Sequence, residues 1–266
     1  MNGGRLVDVT RRGLLNLMLT TAAAATLRPL PSLGEQAAGS QRRTKAIAFD
    51  GFVILDPRSV MQRVEEVYPG KGTEFTNLWR TRQFEYTWLR TAGDRYEDFW
   101  SVTDSALAYT ATSMKLSLSK AQREQLMNSY RELKPWPDVP DALAELRRRG
   151  IRMAFLSNFT SAMLDANLTA AKLNDYFEPH LTTDRVRAYK PSARAYQMGP
   201  EAFGLKREAI AFAAFGGWDA AGAKWFGYPT VWVNRMNLPV EELGAVPDLV
   251  TGNLSGLLNF AVGTDG

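Results

Sequence analysis

Short apolar runs separated by amphipathic segments dominate the chain from residue 46 onward. The runs 46–49, 152–156, 210–214 and 230–234 are each long enough for a buried strand. Between them, apolar residues recur at three- and four-residue spacing, which is typical of helices that bury one face. Strands that alternate with helices form a parallel sheet covered on both faces. The pattern therefore predicts an α/β fold with a doubly wound parallel sheet.

A long helical segment interrupts this alternation after the first strand. Beyond residue 73 the apolar positions keep helical spacing, and the capping box Ser119-x-x-Gln122 predicts the start of one helix. The alternative is a helical decoration at the sheet edge that places no residue at the ligand crevice. We expect instead an α-helical cap inserted in an α/β core, with the cap at residues 71–133 and the core at residues 45–70 and 134–262.

The N-terminal residues have the layout of an export signal. Arg11-Arg12 precedes a moderately apolar stretch, residues 14–25, as in a twin-arginine signal. The stretch is too short to anchor the chain stably in a membrane. We therefore expect residues 1–44 to be a signal and flexible leader, and the mature protein to be periplasmic without stable membrane association. The alternative is an ordinary amphipathic helix on a cytoplasmic protein.

Composition and charge exclude several kinds of site. The chain has no cysteine, which excludes disulfides and thiolate chemistry, and a single histidine, His180, which argues against catalytic triads and histidine-cluster zinc sites. Seven of the 32 basic residues but only two of the 28 acidic ones lie in residues 1–45, so the remainder carries a net charge of −1. We therefore expect no nucleic-acid partner.

Polar side chains follow the predicted strands where each strand ends. Asp50 follows the first strand, Ser157 and Asn158 follow the second, Asp219 comes shortly after the third, and Lys190 lies on a loop between a strand and a helix. Because the carboxyl ends of parallel strands line one crevice, we expect these groups to lie together. A neighbouring lysine keeps an aspartate nucleophile ionised in a dry site. For Asp50 the alternative is a structural role at a turn or a helix start.

Several blocks of the sequence resemble the type II 2-haloacid dehalogenases of the haloacid dehalogenase superfamily. The resemblance covers about residues 46–260 and rests on Tyr68-Pro69-Gly70-Lys71-Gly72, Leu78-Trp79-Arg80, Gln83-Phe84-Glu85-Tyr86-Thr87-Trp88-Leu89-Arg90, Arg95-Tyr96-Glu97-Asp98-Phe99-Trp100, Leu156-Ser157-Asn158, Tyr189-Lys190-Pro191, Trp218-Asp219-Ala220-Ala221-Gly222-Ala223 and Trp232-Val233-Asn234-Arg235. It implies a hydrolase acting on carbon–halide bonds, which converts short 2-haloalkanoic acids into 2-hydroxy acids. It also implies a homodimer formed through the cap helices.

The resemblance assigns roles to the residues at matching positions. Asp50 would attack the carbon that bears the halogen and form an ester, which water then hydrolyses, and Lys190 would be its charge partner. By the same resemblance, Ser157 would orient the substrate carboxylate, and Tyr196 and Asp219 would position Lys190 and the hydrolytic water. Arg80 would bind the substrate carboxylate or the departing halide, with Asn158 and Phe99 also at the halide site. Phe52 and Trp218 would form an apolar wall.

Two positions distinguish the chain from the phosphatases of that superfamily. Those enzymes have a second aspartate two residues after the nucleophile, where this chain has Phe52. They also have magnesium-binding carboxylates near the fourth strand, where it has Ala214. A halide leaves without a proton and without a metal ion that neutralises phosphate. We therefore expect neither a metal site nor a cofactor.

The chain also departs from the dehalogenase pattern around the predicted nucleophile. Val53-Ile54-Leu55 replaces a glycine-threonine-leucine turn, so a hydroxyl that hydrogen-bonds the nucleophile is lost at Ile54, and Ala214 and Gly216 replace a serine and an asparagine. One lost oriented donor can cost on the order of 10²–10³ in rate. Two alternatives to the dehalogenase therefore stay open: a homologue that binds a small carboxylate or a partner without turnover, and a divergent phosphatase.

The paired arginines generate a testable prediction. Changing Arg11→Lys together with Arg12→Lys is expected to leave full-length protein in the cytoplasm, because a twin-arginine signal is recognised through that pair. Cell fractionation that separates precursor from cleaved protein measures the effect, with Arg5→Lys as the control outside the pair. Uncleaved wild-type protein in the cytosol would show that the export assignment is wrong.

Overall fold

The computed structural model describes residues 44–263, and the predicted export signal with Arg11 and Arg12 lies outside the described residues. Within the described part, the strands are β1 (Ala46–Phe49), β2 (Leu55–Asp56), β3 (Lys134–Pro135), β4 (Arg152–Ser157), β5 (Leu181–Thr182), β6 (Ile210–Ala214), β7 (Thr230–Val233) and β8 (Leu249–Thr251). The α-helices there are α1 (Gly51–Ile54), α2 (Arg58–Val67), α3 (Gly72–Ala92), α4 (Phe99–Ser113), α5 (Lys120–Asn128), α6 (Val139–Arg148), α7 (Ser161–Ala171), α8 (Ala193–Phe203), α9 (Gly217–Phe226) and α10 (Leu254–Val262).

A parallel sheet with β1 near its middle forms the core. Its strand order is β5-β4-β1-β6-β7-β8. Phe49 at the end of β1 lies opposite Phe155 of β4 and Ala213 of β6, so the three strands end at the same edge. Alternate β1 residues join different apolar clusters, Ile47 and Phe49 on one face and the alanines on the other. The predicted doubly wound α/β fold is confirmed.

A helical insertion, residues 72–131 with α3, α4 and α5, lies between β2 and β3. These two short strands pair antiparallel, with Leu55 opposite Pro135, so the chain leaves and re-enters the core side by side. Trp136, which directly follows β3, stabilises this pairing with two hydrogen bonds. Its main-chain N–H donates to the Ile54 carbonyl at 3.0 Å and its indole N–H donates to the Phe52 carbonyl at 2.9 Å. The segment from α2 to α5, which contains the insertion, therefore begins and ends next to the short helix that follows β1.

Buried hydrogen bonds join the two long helices of the insertion. The Trp79 indole N–H donates to the carbonyl of Thr103 in α4 at 2.9 Å. Gln83 Nε2 donates to the Thr103 hydroxyl at 2.6 Å. The predicted capping box at the start of α5 is confirmed: Ser119 Oγ accepts from the Gln122 main chain at 3.3 Å, and Gln122 Oε1 accepts from the Ser119 main chain at 2.9 Å. Local capping and tertiary contacts thus agree in this segment.

The structure differs from the sequence expectations at two places. Directly after Asp50 the chain forms the short helix α1, which was not predicted as an element. The edge strand β8 and helix α10 were not predicted, because β8 is short and Val250 in it is exposed, so no apolar run marks it. Across residues 44–263, no helix has both the length and the apolar character that spanning a membrane requires.

Candidate active site

Asp50 directly follows the central strand and is held by main-chain hydrogen bonds. Its own N–H donates to the Ala213 carbonyl of β6 at 2.9 Å, and its Oδ2 accepts from the Phe52 N–H at 3.0 Å as the cap of α1. The side chain remains 14% exposed. The structural interpretation of Asp50 as a helix cap is therefore correct, and the same carboxylate is also open to a cavity.

The buried ammonium of Lys190 joins two carboxylates. Nζ lies 2.7 Å from Asp50 Oδ1 and 2.7 Å from Asp219 Oδ2, and no part of the lysine side chain is exposed. Asp219, in the first turn of α9, also accepts from the Tyr196 hydroxyl at 2.7 Å through Oδ1. The predicted charge partner and its predicted positioning residues are thus one hydrogen-bonded chain that ends at Asp50.

Burial and mutual attraction act in opposite directions on the titration of these groups. Burial would lower the pKa of Lys190, but the charges of Asp219 and Asp50 and their hydrogen bonds raise it above its ordinary value. Burial raises the pKa of Asp219 to about 6, although the charge of Lys190 and the Tyr196 hydrogen bond oppose that rise. Lys190 is therefore charged at neutral pH, and Asp219 takes up a proton well above the pH at which an exposed aspartate does.

Ser157 and Asn158, at the end of β4, complete the polar edge. A Cβ atom at Gly51 would lie 3.1 Å from Ser157 Oγ, so the glycine allows the ends of β1 and β4 to approach closely. Ser157 Oγ accepts from the Phe159 N–H at 3.1 Å. Asn158 Oδ1 accepts from the Lys190 main chain at 3.2 Å. Asn158 therefore fixes the backbone that carries the lysine as well as facing the cavity.

The cavity above Asp50 has a volume of about 310 Å³ and lies between the sheet edge and the helical insertion. Arg80 of α3 lines it and is largely exposed, and its guanidinium has no hydrogen bond or ion pair with any residue in 44–263. A cation without a protein partner beside Asp50 is available to an anionic group of a ligand. The insertion thus supplies charge to the cavity, which contradicts the alternative of an edge decoration with no residue at the crevice.

The loop that carries Lys190 is also attached to the insertion. The Tyr189 main chain donates to Thr91 Oγ1 at 3.1 Å, and its hydroxyl donates to the Glu97 carbonyl. The neighbouring Tyr96 hydroxyl donates to Asp184 Oδ1 at 2.6 Å, and the two tyrosine rings lie 4.8 Å apart. The segment between α3 and α4 therefore holds the lysine loop by both polar and apolar contacts.

The departures from the dehalogenase pattern have visible consequences. Ile54 is fully buried, and Asp50 receives the Phe52 main-chain N–H in place of a side-chain hydroxyl. A Cβ atom at Gly216 would lie 2.8 Å from Trp218 Nε1, so the indole covers the position where a side chain at 216 would start. Ala214 is buried at the end of β6. The site is thus built with fewer side-chain donors and with an aromatic ring over the glycine.

All ten predicted site residues belong to this one region. Eight of them line the cavity, namely Asp50, Phe52, Arg80, Phe99, Ser157, Asn158, Trp218 and Asp219. The other two, Lys190 and Tyr196, lie behind them in the hydrogen-bonded chain. Six apolar residues that follow strands or lie on α3 also line the cavity and were not predicted, namely Phe84, Trp88, Phe159, Phe215, Met236 and Leu238. Those after strands obey the same strand-end rule that selected Asp50, but an apolar residue at a strand end cannot be told from a core residue in the sequence.

The donor set of the described residues offers little to a metal ion. In residues 44–263, no group of three or more histidine, aspartate or glutamate side chains is arranged to hold one. Phe52, two residues after Asp50, presents a ring to the cavity, and Ala214 presents only a methyl group. The hard oxygen ligands that magnesium prefers are therefore not found at either position.

Comparison with known proteins identifies the family. A sequence model of haloacid dehalogenase-like hydrolases matches residues 40–227. The chain belongs to this family. (S)-2-haloacid dehalogenase of Pseudomonas sp. (strain YL) is 43% identical over 217 residues, which are 81% of this chain and 94% of that protein. Haloacetate dehalogenase H-2 of Moraxella sp. (strain B) is 39% identical over 220 residues, 82% of this chain and 98% of that protein.

A solved structure supports the same assignment. The L-2-haloacid dehalogenase from Xanthobacter autotrophicus, determined with chloropropionic acid covalently bound, is 32% identical to this haloacid dehalogenase-like hydrolase and superposes with a TM-score of 0.78. The match covers 83% of this chain and 99% of that chain. The resemblance drawn from the sequence motifs is confirmed.

The raised pKa of Asp219 predicts an acid limit of activity. As pH falls through about 6, the Asp219 carboxylate takes up a proton and no longer binds Lys190 as an anion, so activity is expected to decline. Tyr196→Phe removes a hydrogen bond that lowers this pKa, so the midpoint should move to higher pH. Profiles of kcat/KM against pH, recorded for the wild type and for Tyr196→Phe, measure the decline and the shift of its midpoint. Unchanged activity between pH 7 and 5, or a midpoint that Tyr196→Phe leaves in place, would contradict the role of Asp219.

Proposed function

We propose that the protein is a hydrolytic dehalogenase of 2-haloalkanoic acids that releases halide and a 2-hydroxy acid. The observation that carries this proposal is the Asp50 carboxylate, which faces a cavity while the Lys190 ammonium lies 2.7 Å from its Oδ1. The names of the relatives, (S)-2-haloacid dehalogenase and haloacetate dehalogenase, support the same reaction class.

In the first step, Asp50 attacks the carbon that bears the halogen. A new carbon–oxygen bond forms, the carbon–halogen bond breaks with inversion, and the halide leaves with the bonding electrons. Each Asp50 oxygen accepts one hydrogen bond, from Lys190 and from the Phe52 N–H, so each keeps a lone pair for attack. Lys190 therefore orients the carboxylate without blocking it.

In the second step, water adds to the carbonyl carbon of the Asp50 ester. Lys190 and the Phe52 N–H donate to different Asp50 oxygens, so the donor on the oxygen that was not alkylated stabilises the negative charge that develops there. Asp219, which Tyr196 and Lys190 hold in place, accepts one proton from the water. As the intermediate collapses, the leaving oxygen takes the proton of the added hydroxyl, which releases the 2-hydroxy acid and restores the Asp50 carboxylate, and Asp219 passes its proton to solvent.

The groups around Asp50 suit an anionic substrate and an anionic product. The free Arg80 guanidinium binds the substrate carboxylate or the departing halide, and Ser157 and Asn158 provide further donors at the sheet edge. Phe52 and Phe99 surround the reacting carbon with apolar surface, which excludes water from the first step. The helical insertion acts in this proposal as a cap over the active site.

A second candidate function is a homologue that binds a small carboxylate or a partner without turnover. The observation that favours it is the loss of side-chain donors at Ala214 and Gly216. The retained ion pair of Asp50 with Lys190 favours turnover, since a mere binding site for an anion gains nothing from a carboxylate. Halide release from 2-chloropropionate distinguishes the two.

We also propose that the protein acts in the periplasm, after export through its paired arginines, and that it forms a homodimer. The layout of residues 11–25 supports export. Exposed aromatic and aliphatic side chains on the insertion, such as Leu89 and Tyr109, are compatible with an interface there.

The covalent step predicts where the oxygen of water first appears. In a single turnover in heavy-oxygen water, Asp50 is expected to become labelled while the first hydroxy acid released is unlabelled, because water enters the aspartyl ester. Mass spectrometry of the peptide with Asp50 and of the product measures this. Label in the first product would show that water attacks the substrate carbon directly.

Asp50→Asn tests the same step by loss of function. Its rate should fall by on the order of 10⁴ or more, because an amide does not attack carbon. The change is nearly isosteric and should leave the fold intact. Asp165→Asn, an exposed carboxylate outside the cavity, is the matched control and should keep wild-type activity.

The apolar residues at Phe52 and Ala214 predict that turnover does not depend on magnesium. Halide release should persist in excess chelator, because neither position offers the oxygen ligands that the ion requires. The measurement is the initial rate with and without chelator, with a magnesium-dependent phosphatase as the control for chelation. Loss of activity that magnesium restores would instead favour the divergent phosphatase.

A further inference from the structure

The cavity is larger than a three-carbon acid requires. Its volume of about 310 Å³ lies at the lower end of the range, roughly 300–1,000 Å³, of pockets that enclose drug-sized ligands. The polar groups that would bind the carboxylate and the halide lie at the sheet edge and on Arg80. The other lining residues include many aromatic and aliphatic side chains, which could contact a substituent of the substrate.

Aromatic rings line that additional volume in two groups. Close to Asp50, the Phe52 ring lies 5.0 Å from Phe159 and 5.7 Å from Phe215. Further out, Trp218 of the core lies 5.3 Å from Phe84 of the insertion, in an edge-to-face arrangement. Ring edges and faces arranged in this way favour contact with another aromatic ring.

The mouth of the cavity exposes apolar side chains. Trp88, Met236 and Leu238 all line the cavity, and they are 39%, 45% and 48% exposed. Apolar surface grouped at a cavity mouth is typical of a ligand-binding groove. These side chains mark the direction in which an apolar substituent would extend from the reacting carbon.

The charges at the mouth disfavour an acidic substituent. Glu85 lines the cavity and is paired with Arg82 at 2.8 Å, and the Glu241 side chain lies against Gly217. Both carboxylates would repel a second acidic group on the substrate. Beyond Arg80, the cavity lining in the described residues includes no further cation that could bind such a group.

We propose that this site takes 2-halo acids that carry an aryl group, such as 2-halo-3-arylpropionates. This inference rests on the proposed dehalogenase function and adds its substrate class. Asp50 forms the carbon–oxygen bond as the halide leaves, and water then cleaves the ester, so one water is consumed and a 2-hydroxy-3-arylpropionate, halide and a proton are released. The aryl ring lies between the aromatic walls, with its far edge at Leu238 and Met236.

A pair of substrates with the same halogen tests the proposal. Bromide release by the full-length protein is measured with 2-bromo-3-phenylpropionate and with 2-bromopropionate. We expect kcat/KM for the phenyl substrate to be about tenfold higher or more, because a filled apolar pocket discriminates by such factors. Release from 2-bromopropionate alone overturns the aryl proposal and leaves the dehalogenase function standing, whereas no release from either substrate overturns the dehalogenase function itself.

A variant at the mouth locates the ring. In Leu238→Ser, the ratio of kcat/KM for the phenyl substrate to that for 2-bromopropionate should fall by about threefold to tenfold. The loop should keep its shape, because two hydrogen bonds between Asn234 and the main chain of residue 238 do not involve the side chain. Val246→Ser is the matched control, since Val246 is 68% exposed and outside the cavity lining. An unchanged ratio in Leu238→Ser overturns the proposed position of the aryl group.

Discussion

The contact on which the rest of this structure depends is the buried ammonium of Lys190 between Asp50 and Asp219. Removing a charge from water costs several kcal/mol in practice, about the size of a domain's net stability, unless partners compensate for it. Here the lysine lies 2.7 Å from a carboxylate oxygen of Asp50 and 2.7 Å from one of Asp219, and the Tyr196 hydroxyl donates a hydrogen bond to the other Asp219 oxygen. The core must therefore bring the end of β1, the start of α9 and the loop before α8 to within one side-chain length of each other. It does so because its parallel strands end at the same edge of the sheet.

Main-chain groups and aromatic rings replace side-chain donors around the nucleophile. The Phe52 N–H at the start of α1 serves Asp50, and this donor is available because the chain forms a helical turn there. Trp218 lies over Gly216, where an added side chain would collide with the indole. An asparagine at this position would therefore have to displace the tryptophan.

The polar half of the site was predictable because its geometry follows from topology. An aspartate after a central strand, and a serine and an asparagine after its neighbour, must meet at the edge of a parallel sheet. The apolar half was less predictable, since a phenylalanine after a strand has the same appearance in a sequence as one in the core. Phe215 and Phe159 show this, as both line the cavity although both belong to or pack against the apolar core. The edge strand β8 escaped prediction because exposure removes the apolar pattern.

The attachment of Tyr189 to the insertion has a mechanical consequence. Its main chain and hydroxyl are bonded to Thr91 and Glu97, and the next residue is the lysine that holds the nucleophile. A rigid-body displacement of the insertion that widened the cavity would pull on this loop and on the lysine with it. A movement of the insertion that admits the substrate would therefore also move the lysine beside the nucleophile. The contacts that attach the insertion to the lysine loop are thus also contacts that keep the lysine within reach of the nucleophile.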